Sequence, residues 1–161
     1  MFKTSIYLFT ALMLGVVSYS NAQTGKKMET NFNKEQQEVF STIERMVDAF
    51  HKKDIAGVMA CYDRNALILF EPQKPVVGTN DLKKEFLAAF EINPHYEFSG
   101  HEIYIAGNIA THVAPWTMKG RLPDGTPIEQ NGLSIAILQK QTDGSWIMVF
   151  DNPHGQFLME K

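Results

Sequence analysis

The stretch "NDLKKEFLAAFEINPHYEF" (residues 80–98) changes its period halfway along. Leu82, Phe86, Leu87 and Phe90 recur at three- and four-residue steps, the spacing of one helix face. Pro94 ends that helix, since proline has no N–H to donate and disfavours helical geometry in the residue before it. Beyond Pro94 the period is two, and four strands are predicted over 95–106, 109–119, 127–139 and 146–152. Their connections, Gly107-Asn108, "RLPDGT" (121–126) and Asp143-Gly144, all have hairpin chemistry. Upstream, Asn33 with Gln36 forms a capping-box pattern ahead of Val39, Phe40, Ile43, Met46, Val47 and Phe50, an apolar face running to about Lys53. Asp54 caps a second, short helix with Ile55, Val58, Met59 and Tyr62 facing inward. "ALILF" (66–70) reads as a buried strand, followed by a loop with two prolines up to Gly78. The fold class expected is α+β: a curved antiparallel sheet with three helices packed on one face.

The chain opens with Lys3, an apolar core from Ile6 to Val17, and Ser20-Asn21-Ala22. That is the layout of a secretory signal cleaved after Ala22, and the apolar run is too short for the ~20 residues of a membrane span. The expected organisation is therefore a signal over 1–22, a flexible tether over 23–32, one domain over 33–155 and a short tail over 156–161. The localisation this implies is periplasmic or secreted, with no membrane association after cleavage. Loss of the signal leaves 139 of the 161 residues, enough for one domain with a real core, and removes one lysine, so the formal charge moves from −3 to −4. A mildly acidic chain with scattered charges offers no footprint for nucleic acid or an anionic membrane. Cys61 is the only cysteine, which excludes an internal disulfide, and its setting in "VMACY" (58–62) reads as a buried thiol.

Strand register follows from the hairpins, taking two-residue turns without bulges. Around Asp143-Gly144, Ile137 pairs with Phe150, Ile135 with Asn152 and Leu133 with His154. Around Asp124-Gly125, Ile137 pairs with His112 and Leu133 with Trp116. Around Gly107-Asn108, Ile103 pairs with His112 and Ser99 with Trp116. One face then collects Ile103, Ile105, Trp116, Leu133, Ile135, Ile137 and Phe150, the expected interior. The same face carries His95, His101, His112, Asn152 and His154, with His101 and His112 as diagonal neighbours roughly 7–8 Å apart. The opposite face carries Thr111, Val113, Thr117, Ser134, Ala136, Val149, Tyr96, Phe98 and Tyr104, uncharged and suited to a homodimer contact.

Each of these side chains has two readings. Histidines on an apolar wall are either hydrogen-bonded core residues or the polar lining of a pocket. Trp116 is core or ligand platform. Asn152 and Asp151 either end the strand through an Asx turn before Pro153 or present polar groups at a pocket rim. No metal is expected, since the face offers only Glu97 as a carboxylate and no compact ligand spacing, and no cofactor is expected either.

Three local signals, "MACYDRNALILF" (59–70), "PVVGTNDLKKEF" (75–86) and the closing "DGSWIMVFDNPHG" (143–155), together with the helix–helix–strand–helix–meander order, resemble the SnoaL-like branch of the nuclear transport factor two-like superfamily. The resemblance spans residues 34–154. It implies a sheet curled into a cone with a pocket at its open end, in a family that holds polyketide cyclases, ketosteroid isomerases, dehydratases and non-catalytic binding or dimerisation modules. In the cyclases and dehydratases His/Asp pairs work in the cone; His112 and Asp151 are the nearest counterparts, with His154 a further candidate. The two-residue register turns Asp151 outward, so such a pair requires a bulge before Asn152. The isomerase pattern wants a tyrosine in the first helix, where this chain has Phe40 and Phe50. Trp116, His101, Asn152, Tyr62 and Ile135 are the expected substrate contacts. The resulting readings are a binder of a small, largely apolar molecule, a lyase- or isomerase-type enzyme, and an interaction module without ligand.

Intact-mass measurement of the exported protein should give a chain beginning at Gln23. A soluble cytoplasmic product retaining Met1 would contradict the export reading.

Overall fold

The computed structural model describes residues 31–159. The expected signal with its cleavage site, the tether as far as Thr30 and the last two residues lie outside the described residues. The elements are α1 (Lys34–His51), α2 (Ile55–Met59), β1 (Tyr62–Glu71), β2 (Lys74–Val77), α3 (Thr79–Phe90), β3 (His95–Phe98), β4 (Glu102–Ala106), β5 (Ile109–Arg121), β6 (Pro127–Lys140), β7 (Trp146–Asn152) and a 3₁₀ turn, Phe157–Met159. The seven strands form one curved, unclosed sheet in the order β2-β1-β7-β6-β5-β3, with β4 also paired to β5. Every pairing is antiparallel except β1 with β7. The architecture is α+β.

The helices start where the sequence places their caps. Asn33 Oδ1 accepts from the Gln36 N–H while Gln36 Oε1 accepts from the Asn33 N–H, both at 3.0 Å. Gln36 also donates to the Ile103 carbonyl at 2.8 Å, tying the start of α1 to β4. Farther along, buried Thr42 donates to the Trp146 carbonyl at 3.1 Å, so α1 is fastened to β7 as well. Asp54 caps α2 through the Gly57 N–H. Val39, Ile43, Phe50, Val58, Leu82, Phe86 and Phe90 carry the helical stripes into one core against the inner sheet face.

The strands depart from the expected pattern in four places. β1 begins at Tyr62, so this residue belongs to a strand and not to the α2 face. The two-proline loop contains β2, an edge strand in which Pro75 has no ladder bond to lose. The expected 95–106 strand breaks at Ser99-Gly100-His101 into β3 and β4: Ile103 does pair with His112, but Phe98, and not Ser99, pairs with Trp116. That one-residue slip turns His95 to solvent and brings Tyr96 and Phe98 inside.

The fourth departure concerns both Asp-Gly turns. Each lies in a three-residue loop: Leu122 N–H donates to Thr126 O, and Gln141 N–H to Ser145 O. Asp124 and Asp143 accept from the backbone two residues on, and Gly125 and Gly144 take the left-handed conformation at φ 87° and 88°. His112 therefore faces Ala136 and Trp116 faces Gly132. Ile135, Ile137 and Leu133 pass to the outer face, and Gly132, Ser134, Ala136 and Leu138 line the inner one. The pairs Ile137–Phe150 and Ile135–Asn152 do form, because an extra residue in β7, Val149, cancels the loop's shift. They lie outside.

Candidate functional site

α1, α3 and the inner sheet face enclose a cavity of about 110 Å³. Seven aromatic rings line it: Phe50 from α1, Tyr62 and Phe70 from β1, Phe86 from α3, Tyr96 and Phe98 from β3, and Trp116 from β5. Met46, Val47, Ile68, Ala89 and Pro153 complete the apolar walls, leaving Ser134 and Asp151 as the other polar contributions. The rings meet mostly edge to face, as at Tyr96–Trp116 (5.3 Å) and Phe70–Phe86 (4.9 Å), the arrangement favoured by their quadrupoles.

Trp116 is held flat against the sheet. Its indole N–H donates to the Pro153 carbonyl at 2.9 Å, and opposite it stands Gly132. A Cβ on Gly132 would lie 2.8 Å from both the indole ring and the Pro153 oxygen, so a side chain here would push the ring into the cavity. Proline's place after Asn152 is thus to end β7 and offer its carbonyl inward.

The polar end of the cavity is a hydrogen bond between Tyr62 Oη and Asp151 Oδ2, at 2.7 Å. Burial pushes the Asp151 carboxyl up to about 6, with the Tyr62 hydrogen bond pulling the other way. Burial and the nearby Asp151 charge raise the Tyr62 hydroxyl well above the ordinary tyrosine range and push Tyr96 up to about 12. Both phenols stay protonated. Asp151 is the one lining group that titrates near neutrality, in the range where a carboxyl serves as general acid or base.

Of the expected site residues, the structure brings Tyr62, Trp116 and Asp151 to this cavity. The others go elsewhere. His101 Nδ1 and His112 Nε2 lie 3.0 Å apart, in direct contact rather than diagonal, and the rings stack at 5.3 Å. His112 is 1% exposed, and burial followed by His101 pushes its imidazole down to about 3. Ala136 stands between it and Asp151 in one cross-strand row, two strand spacings or roughly 10 Å in all. That separation breaks the His112–Asp151 pair implied by the resemblance. Asn152 closes an Asx turn on the His154 N–H, and His154 Nε2 contacts the Phe70 carbonyl at 3.1 Å, so both shape the strand's exit. Ile135 sits on the outer face against Gly155. Among the described residues no three His, Cys, Asp or Glu side chains converge as metal ligands would.

Residues not anticipated as contacts are Tyr96, Phe98 and Ser134, each hidden by a register slip, Ile68 and Phe70 on β1, Pro153 after β7, and the helix residues Met46, Val47, Phe50, Phe86 and Ala89. The helical ones, apart from Ala89, already stood on predicted apolar stripes.

The model of a family described as SnoaL-like domain matches residues 43–147, more than half of the chain. Comparison with curated proteins finds no match. Among solved structures, a protein from Xanthomonas campestris named for the calcium/calmodulin dependent protein kinase II association domain superposes with a TM-score of 0.69 at 13% identity, over 81% of this chain and 95% of that one. A ketosteroid isomerase-like protein from Erwinia carotovora atroseptica gives 0.66 at 21%, over 75% and 95%. A nuclear transport factor 2-like superfamily protein from Salmonella enterica serovar Typhimurium gives 0.66 at 16%, over 73% and 88%. At these identities the likeness is one of fold.

Asp151→Asn keeps an acceptor for Tyr62 and removes the charge. A carboxyl raised from 3.8 to about 6 lends the fold stability that is complete below about pH 4 and lost as pH rises through 6. The variant should therefore be more stable than wild type at pH 7, by up to about 3 kcal/mol, with the gap closing near pH 4. His112, held neutral, acts in the opposite sense, its contribution being lost as pH falls from 6.5 toward 3; present in both proteins, it cancels. Urea titrations at the two pH values measure the gap, and one that is equal at both would refute the assignment.

Proposed function

The chain belongs to the SnoaL-like domain family, and from the cavity behind its sheet we propose that it binds a single-ring, largely apolar molecule carrying one polar group. The observation that carries this reading is a pocket of about 110 Å³ walled by seven aromatic rings, with one hydrogen-bonded carboxyl at its end. Size sets the class. An apolar cavity of about 150 Å³ accepts benzene, so a volume of this order sets one ring as the upper limit and excludes a fused-ring skeleton. The leader-like first 22 residues support a place for this binder in the periplasm or outside the cell.

A second reading, proton transfer on the bound molecule, is favoured by the position of Asp151 near neutrality beside a protonated Tyr62. In that case the acid–base pair is Asp151 with Tyr62, since His112 and His154 lie outside the cavity lining. Conversion of a bound probe by wild type but not by Asp151→Asn would separate catalysis from binding.

The outer face supports the homodimer reading better than the sequence pattern did. Ser134, Ala136, Tyr96 and Phe98 leave it, and Leu133, Ile135, Ile137 and Phe150 join Thr111 and Val113, with Tyr104 61% exposed at its margin. A contiguous apolar patch of this kind suits a second copy of the chain.

Toluene and benzyl alcohol should raise the melting temperature of wild type and bind in a calorimetric titration. Ala89→Leu, which adds three carbons to the cavity wall without disturbing helix propensity, should abolish both effects while the protein stays folded. Absence of binding by any single-ring probe would overturn the reading. In light scattering the protein should show twice the monomer mass, and Val113→Lys should shift it toward monomer, because an unpaired charge buried in the contact is costly. A wild type that stays monomeric at micromolar concentration rules the dimer out.

A further inference from the structure

We infer that the polar group of the ligand is an amine, held as its ammonium by Asp151 inside the aromatic walls. The inference deepens the binding reading above and rests on it. Three observations carry it. First, the carboxyl is incompletely used: Tyr62 occupies Oδ2 at 2.7 Å, and Oδ1 has no hydrogen-bond partner among the described residues. Second, no lysine, arginine or histidine lines the cavity, and the ion pairs among the described residues, Lys74–Glu71 and Lys140–Glu35, lie elsewhere. α1 and α3 contribute only Met46, Val47, Phe50, Phe86 and Ala89, so the groups facing Asp151 are two tyrosines that remain neutral. Third, the rest of the wall is aromatic, including Tyr96, Trp116 and Phe50, whose ring faces attract a cation placed within about 6 Å.

A site with one buried anion, no protein cation and a ring-lined interior is complementary to a small organic cation. The alternatives fit less well. A ketone or ester oxygen would meet a like-signed oxygen at Asp151, which is mostly ionised at pH 7 because its carboxyl titrates at about 6. An alcohol supplies one hydrogen bond and leaves the charge uncancelled. An ammonium supplies the donor and cancels the charge. The desolvation of the carboxylate is already borne by the fold, so the ligand adds only that of its own ammonium, offset by Asp151 and the rings. With charge-assisted hydrogen bonds roughly twice as strong as neutral ones, the preference over an isosteric alcohol should be about ten- to a hundredfold.

The test compares benzylamine, benzyl alcohol, toluene and acetophenone by calorimetric titration of the purified protein at pH 7.5 and pH 5. Benzylamine should bind at least about tenfold tighter than benzyl alcohol at pH 7.5, with the advantage shrinking at pH 5 as Asp151 takes up a proton. Asp151→Asn should remove that advantage and leave toluene binding in place, which shows the cavity intact. Toluene or benzyl alcohol binding as tightly as benzylamine at pH 7.5 would overturn the amine assignment alone. So would acetophenone binding that strengthens below pH 6 and exceeds that of the amine. If none of the four binds, the cavity reading falls and the amine assignment with it.

Discussion

Between Met148 and Phe150, β7 carries a residue, Val149, with no partner on β6. That bulge puts Met148 and Asp151 on the same side of the sheet, where regular alternation would have placed them on opposite sides. The carboxyl thereby enters the apolar interior, next to Ile68 on the parallel neighbour β1 and within reach of Tyr62. A buried carboxyl costs free energy unless something satisfies it. The start of β1 supplies that partner, so the strand pairing, the position of Tyr62 and the polarity of the cavity follow from one inserted residue.

What happens after the bulge closes the end of the cavity. β7 stops at Asn152, and the following four residues run across the sheet as a strap. His154 contacts β1 through the Phe70 carbonyl and Pro153 accepts from Trp116 on β5. Gly155 donates to the Leu133 carbonyl of β6, and Gln156 accepts from the Leu133 N–H. Strands β1, β5 and β6 are thus tied together by one short segment. Gly155 is required where the strap passes Ile135 and Leu133, since a Cβ there would fall 2.7 Å from the isoleucine side chain and 2.9 Å from the Leu133 oxygen.

Much of this could be read from the sequence, and the losses have a common cause. The helices followed from their caps and 3.6-residue stripes, which are local: Asn33 with Gln36, Asp54, and the stripe ended by Pro94. β7 was bounded at Trp146 and Asn152 by its turn and its proline. What failed was the face assignment on β6 and β3, because side-chain orientation depends on the parity of every intervening loop. Asp124-Gly125 and Asp143-Gly144 resemble two-residue turns, yet each aspartate caps a three-residue loop, and Ser99-Gly100 hides an offset inside one apparent strand. A single-residue error inverts an entire strand. Trp116 was legible as part of an apolar sheet face and Tyr62 as an inward aromatic, though on the wrong element, while Asp151 came only through the family resemblance, its register pointing outward without the bulge. The histidines drew attention by number, and the folded chain stacks the buried His112 on a half-buried His101.

The two tryptophans of the chain stand in contrasting surroundings. Trp146 is buried beneath the Lys140 ammonium at the α1 side of β7, away from the cavity lining. Trp116 forms the cavity wall, its indole N–H fixed to a carbonyl and its ring edge against Tyr96. Anything that enters the cavity touches one indole and leaves the other in its own environment. The protein therefore carries an intrinsic fluorophore at the site and an internal reference away from it, so occupancy can be followed optically without a label.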